Sequence, residues 1–180
     1  MASELVELAR RAQAGDISAR QQLLVELYRT VRKHMYLALG GGPLAEDAVQ
    51  ETMIAIHHGL ERFRGDASPA TWALSIAVRT AYRLRRKESR YQPVPDNEIE
   101  TAVFDLTPSH AAELVILRRA LAKLAPKKRD AFVLMAIFEL SAEEAGRALG
   151  TFANTAASRF RHARSELEAY LRAQEKLTNR

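Results

Sequence analysis

The chain has no cysteine in 180 residues, which excludes a disulfide scaffold, a thiolate zinc site, a CxxC redox centre and a cysteine nucleophile. Aromatic residues make up only 7%, with a single tryptophan. Prolines number six, and because they cluster they serve as boundary markers. No apolar run approaches the roughly 18 residues that a membrane span requires. The start, Met1-Ala2-Ser3-Glu4, lacks the basic-then-apolar order of a secretory signal. The expectation is a soluble, basic, cytoplasmic protein.

What the chain does have favours helix. Hydrophobic residues reach 47%, and alanine (31) and leucine (22), both strong helix formers, supply 53 of the 180 residues. At about 150 residues per domain, the length fits one ordinary domain or two small ones. Charge distribution favours two. The net charge of +5 resolves into +4 over residues 1–90, −4 over residues 91–112 and +5 over residues 113–180. The middle block has no lysine or arginine, carries Pro93, Pro95 and Pro108, and shows no helical period. We read an all-α chain of two small helical domains, 1–90 and 109–180, joined by an extended acidic linker over 91–108.

Capping signals delimit the helices. Asp16 can cap a helix that runs to Gly40, and Pro43 fits the first turn of the next, with Glu46 and Asp47 near its positive end. Val49, Met53, Ile56 and Leu60 then recur as one buried stripe. Ser68-Pro69 repeats the cap-then-proline signature before a helix reaching about Arg86, and Thr107-Pro108 opens another, with Leu114, Leu117, Leu121 and Leu124 on one face.

The most informative stretch is residues 124–171. Pro126 begins a short helix, and Ser141-Ala142-Glu143-Glu144 is a capping box. Gly150 stops that helix after about two turns, and Asn154 is placed to cap a new one after a four-residue turn. In the new helix Ala156, Phe160, Ala163, Leu167 and Tyr170 form the apolar stripe. The opposite face carries Thr155, Ser158, Arg159 and His162, flanked by Arg161 and Arg164. A short helix, a tight turn and a longer helix with a polar, arginine-rich start describe a helix-turn-helix, in which the second helix can enter the major groove. Arginine there can bond guanine edges, while the flanking arginines suit phosphates. A solvated helical hairpin with surface arginines is the plainer alternative.

Other patterns carry no chemistry. His57 and His58 are adjacent, so they point about 100° apart and cannot chelate as an i, i+4 pair would. Gly40-Gly41-Gly42 lacks the Lys-Ser/Thr that completes a phosphate loop. No triad or paired-carboxylate constellation is readable, and no metal or cofactor is implied.

The segment from Leu124 to Arg164, with "LSAEEAGRALG" and "NTAASRFRHAR", resembles region 4 of the extracytoplasmic-function (ECF, group IV) sigma factors of bacterial RNA polymerase. Upstream, "AGDISARQQLLVELY", "AEDAVQETM" and "FRGDASPATWALSIAVRTAYRLRRK" resemble sigma region 2 in the same order. The resemblance implies a two-domain transcription initiation factor that binds core polymerase and promoter DNA and is held by an anti-sigma protein. It is not an enzyme acting by itself. By that resemblance Asp47, Gln50 and Glu51 dock on the clamp coiled coil of the largest polymerase subunit. Residues 47, 50, 51 and 54 share one helical face, although first-turn carboxylates also serve a helix dipole. The loop holding Phe63, Arg64 and Asp66, with the basic run that includes Arg79, Arg83, Arg86 and Lys87, corresponds to the element that melts and holds the minus-ten sequence. Thr155, Ser158, Arg159, Arg161, His162 and Arg164 correspond to the helix that meets the minus-thirty-five element.

The sequence also departs from the family pattern. Arg79 and Arg83 stand where Asn and Asp are usual, which points to more phosphate contact or an altered minus-ten preference. Ala145, Gly146 and Ala156 are smaller or less helix-favouring than usual, and a mid-helix glycine costs about 1 kcal/mol. The expectation from these residues is a marginally stable region 4. Two further classes stay open from sequence: a sigma-like decoy that titrates an anti-sigma factor, and a helix-turn-helix regulator that works without polymerase.

Overall fold

A computed structural model of the chain describes residues 2–88 and 108–178, and the expected linker lies outside them except for Pro108. The described residues form eight α-helices and contain no strand, so the fold is all-α. Contacts divide the chain into two units, Met1–Asn97 and Glu98–Arg180.

In the first unit α1 (Ala2–Gln13), α2 (Ile17–Leu39), α3 (Pro43–Gly59) and α4 (Pro69–Glu88) make a bundle. Helix α2 is its centre: Leu23, Leu27, Val31 and Met35 recur every four residues and are fully buried, with α1, α3 and α4 packed around them. The caps read from sequence are present. Asp16 accepts from the Ala19 N–H at 2.9 Å, and Gly40 ends α2. Pro43 opens α3, and the Ser68 hydroxyl accepts from the Thr71 N–H at 3.1 Å. Val49, Ile56 and Leu60 are buried, with Leu60 in a 3-10 turn that closes α3. The sequence reading did not single out α1, whose Leu5, Leu8, Ala9 and Ala12 face the bundle.

The second unit contains α5 (Pro108–Lys123), α6 (Pro126–Phe132), α7 (Ala142–Leu149) and α8 (Ala153–Thr178), with a π-turn at Val133–Ile137 after α6. Arg129 donates to the carbonyls of Leu121, Ala122 and Leu124 at 2.8, 3.1 and 3.3 Å, satisfying acceptors that α5 leaves open at its C-terminal end. The expected capping box on α7 is formed by Ser141 and Glu144. Gly150 adopts φ 62°; its N–H reaches Arg147 O at 3.3 Å and the Thr151 N–H reaches Gly146 O at 2.9 Å. That pair of bonds is a Schellman closure.

Asn154 does not cap α8. The helix begins at Ala153, two residues before the start that an Asn154 cap would set, and the Phe152 carbonyl accepts from the Thr155 and Ala156 N–H groups at 3.0 and 3.1 Å. The turn is therefore residues 150–152, three residues and not four. The Schellman closure explains the difference, because it reverses the chain so tightly that the next helix starts at once.

The small residues on α7 and α8 also read differently in the fold. Ala145 and Ala156 are fully buried, and a Cβ on Gly146 would lie 3.0 Å from Thr151 O and 3.1 Å from Ala153 N. Gly146 admits the turn backbone against α7. These residues set the close packing of the two helices.

Candidate docking face and nucleic-acid interface

Helix α3 builds one exposed face on the first unit. Its buried stripe of Ala45, Ala48, Val49, Thr52 and Ile56 turns Asp47, Gln50 and Ile54 outward, with Glu51 half-buried at the edge. Ile54 is 59% exposed and lines a shallow groove with Leu24, Met53, His57 and His58. An acidic strip beside an apolar one is what a protein–protein contact uses, and the apolar half was not singled out in the sequence.

Inside this face Glu46 is held by Arg32 at 3.5 Å and by the Tyr36 hydroxyl. Burial, reinforced by the hydrogen bond to the Glu46 carboxylate, pushes the Tyr36 hydroxyl up to about 12. The Arg32 guanidinium also lies over the Tyr36 ring, 5.3 Å from its centre.

The loop between α3 and α4 is pinned from α1. The Gln13 side-chain amide donates to Leu60 O at 3.0 Å and Phe63 O at 2.7 Å. Phe63 packs on Trp72 with ring centroids 5.1 Å apart, and both rings are half-buried against the core. Trp72 also lies where a Cβ on Gly59 would meet it at 3.1 Å, so it is chiefly a packing residue. Arg64 and Asp66 are exposed on the loop.

Several side chains of the basic run on α4 already have partners within the fold. Lys87 is exposed, whereas Arg79 folds back on Ser75, 3.1 Å to its carbonyl and 3.3 Å to its hydroxyl. Arg83 pairs with Glu51, which joins a residue expected at DNA to one expected at polymerase. Arg85 donates to the Ala38 carbonyl and lies over the Tyr82 ring, tying α4 to the end of α2. The Arg86 side chain and Arg90 lie outside the described residues.

In the second unit α8 carries the other surface. Ala156, Ala163 and Leu167 are buried, Phe160 stacks on Phe132 at 5.9 Å, and the polar residues turn outward. Arg161, His162 and Arg164 are exposed, and Thr155, Ser158 and Arg159 are half-buried. Arg164 bonds Glu168 at 3.1 Å, one turn on. No acid occurs between residues 153 and 165, against three arginines, so this end of the helix is strongly positive. Among the described residues no helix is long and apolar enough to cross a membrane.

Comparison with known proteins agrees with this geometry. Residues 21–91 match Sigma-70 region 2 and residues 114–167 match Sigma-70 region 4. The structure is similar to that of CnrH in complex with the cytosolic domain of CnrY, with a TM-score of 0.69 and 26% identity over 92% of this chain and 96% of that one. It also shares the fold of the sigma factor RpoE from Bartonella quintana, solved with the anti-sigma factor NepR, at a TM-score of 0.70 and 22% identity over 87% and 98% of the two chains. The ECF RNA polymerase sigma factor SigM of Mycobacterium tuberculosis is 31% identical over 159 residues, covering 88% of this chain and 80% of SigM. With both sigma regions present in order and a relative aligned across most of both chains, this chain belongs to the ECF RNA polymerase sigma factors.

Proposed function

We propose the following division of labour for this sigma factor in the cytoplasm. The α3 face of Asp47, Gln50 and Glu51, extended by Ile54, docks on core polymerase. The Phe63–Asp66 loop and the basic side of α4, with Arg79, Arg83, Arg86 and Lys87, hold the opened minus-ten element. Helix α8 reads the minus-thirty-five element through Thr155, Ser158, Arg159 and His162, while Arg161 and Arg164 meet phosphates. Catalysis belongs to the polymerase. An anti-sigma protein silences the chain by covering these faces. The domain limits are 1–90 and 109–180, with residues 91–108 as the connection.

The observation that carries this reading is the acid-free, arginine-bearing face at the start of α8, on a helix whose opposite side buries Ala156, Ala163 and Leu167. Stacking on an aromatic is worth about 1–3 kcal/mol per base, of the order needed to hold a flipped base at the loop.

Reconstitution with core polymerase tests it. Specific run-off transcripts are expected, with Arg159→Ala losing about 1–3 kcal/mol of discrimination at one upstream position. Reversal of Asp47 to Lys should abolish polymerase binding without lowering the melting temperature. Polymerase binding without initiation would instead identify a decoy, and specific operator binding without polymerase a stand-alone regulator. A uniform loss across all promoters would make Arg159 a phosphate contact.

A further inference from the structure

Phe152 is 84% exposed, more than any other large hydrophobic among the described residues. It is not a loose loop residue. Its carbonyl accepts from Thr155 and Ala156 at 3.0 and 3.1 Å, and its backbone packs within 3.2 Å of where a Cβ on Gly146 would sit. The backbone is thus fixed by α7 and α8 while the ring is left in water.

Its position gives the ring a direction. Residues 152, 155, 159 and 162 fall within about 80° of arc on a helical projection. Phe152 therefore precedes Thr155 by one turn, at the leading end of the face that also carries Arg159 and His162. A ligand that meets those polar groups also meets the phenyl group. The surrounding surface is positive, so the ligand is anionic overall and must offer an apolar point at its edge. Duplex DNA has such a point in its major groove, the thymine 5-methyl group, which apolar side chains contact.

We propose that Phe152 is a specificity-determining residue that reads a thymine methyl at the edge of the upstream promoter element. This rests on the reading of α8 given under Proposed function and adds to it a base preference that the polar residues do not supply. Thr155 and Arg159 select by hydrogen bonds, whereas Phe152 selects by excluding water from a methyl group.

Holoenzyme made from core polymerase and the full chain would select promoters from duplex DNA randomised across both elements. Each thymine of the selected upstream element would then be replaced by uracil, which lacks only the 5-methyl group. At one edge position uracil should weaken wild-type binding about fourfold, the equivalent of one buried methyl-sized group. Phe152→Ala should weaken binding by a similar factor and become indifferent to uracil at that position alone, and Phe152→Leu should restore part of the sensitivity. Because the ring is exposed, the melting temperature of both variants should match wild type. If Phe152→Ala keeps wild-type affinity and full sensitivity to every uracil, Phe152 does not read DNA, although α8 still does. A uniform loss over all selected sequences overturns the proposal equally. If no upstream element is enriched at all, the role of α8 and that of Phe152 fall together.

Discussion

Glu51 and Arg83 show how single side chains acquire partners that sequence spacing does not foresee. The pattern gives one to a polymerase surface and the other to DNA, yet the fold pairs them across α3 and α4. Both side chains are well exposed, at 43% and 61%, so the pair is worth no more than about 1 kcal/mol and holds neither residue back from a ligand. Tyr36 is the opposite case, a buried hydroxyl held protonated beside Glu46. An unfolded tyrosine ionises near 10, whereas this one ionises at about 12, so between those values the folded chain binds the extra proton. The stability owed to the neutral hydroxyl is whole below pH 10 and falls as pH rises to about 12. Thermal melts of the wild type should therefore decline more steeply over that interval than those of Tyr36→Phe, which has no proton to lose. Parallel declines would show that the hydroxyl does not titrate as described.

Among the elements, the turn between α7 and α8 separates propensity from packing most sharply. Helix propensity predicts that Gly146→Ala stabilises the second unit by about 1 kcal/mol. The 3.0 and 3.1 Å approaches of Thr151 O and Ala153 N predict the reverse, a loss of about 1–3 kcal/mol from overpacking against backbone that cannot swing away. Chemical denaturation followed by circular dichroism decides between them by sign. The same turn marks the limit of what was legible in advance. The Ser141 box, the Gly150 stop and the α8 stripe are local patterns, and all are present. Asn154 as a cap is also a local inference, and it fails because the Schellman closure lets the Phe152 carbonyl open the helix two positions earlier. The exposed polar face of α3 is legible from the spacing of residues 47, 50 and 51 alone. Its groove with Leu24 is not, because that residue comes from another helix. Whether a basic residue points outward is likewise set by tertiary neighbours, as Arg85 on the Ala38 carbonyl shows.

For the whole molecule, the modest net charge of +5 conceals two positive units of +4 and +5. Such a chain can meet a polyanion at two places while an acidic segment keeps its overall charge low. Holoenzyme binding to a promoter should weaken steeply with salt. Lys87→Ala, at the exposed end of the α4 run, should lower the slope of log K against log salt by about 0.9 while leaving promoter choice unchanged. An altered choice of promoter would make Lys87 a base contact.

The lone tryptophan has a practical consequence. Trp72 sits in the first unit, against Phe63 and over Gly59, beside the loop we propose holds the opened promoter. Light at 295 nm excites that one indole, so the intrinsic emission of the protein is a native optical label for this loop and is blind to the helix-turn-helix. A shift in that emission when DNA is added reports what happens at Phe63 without any dye being attached.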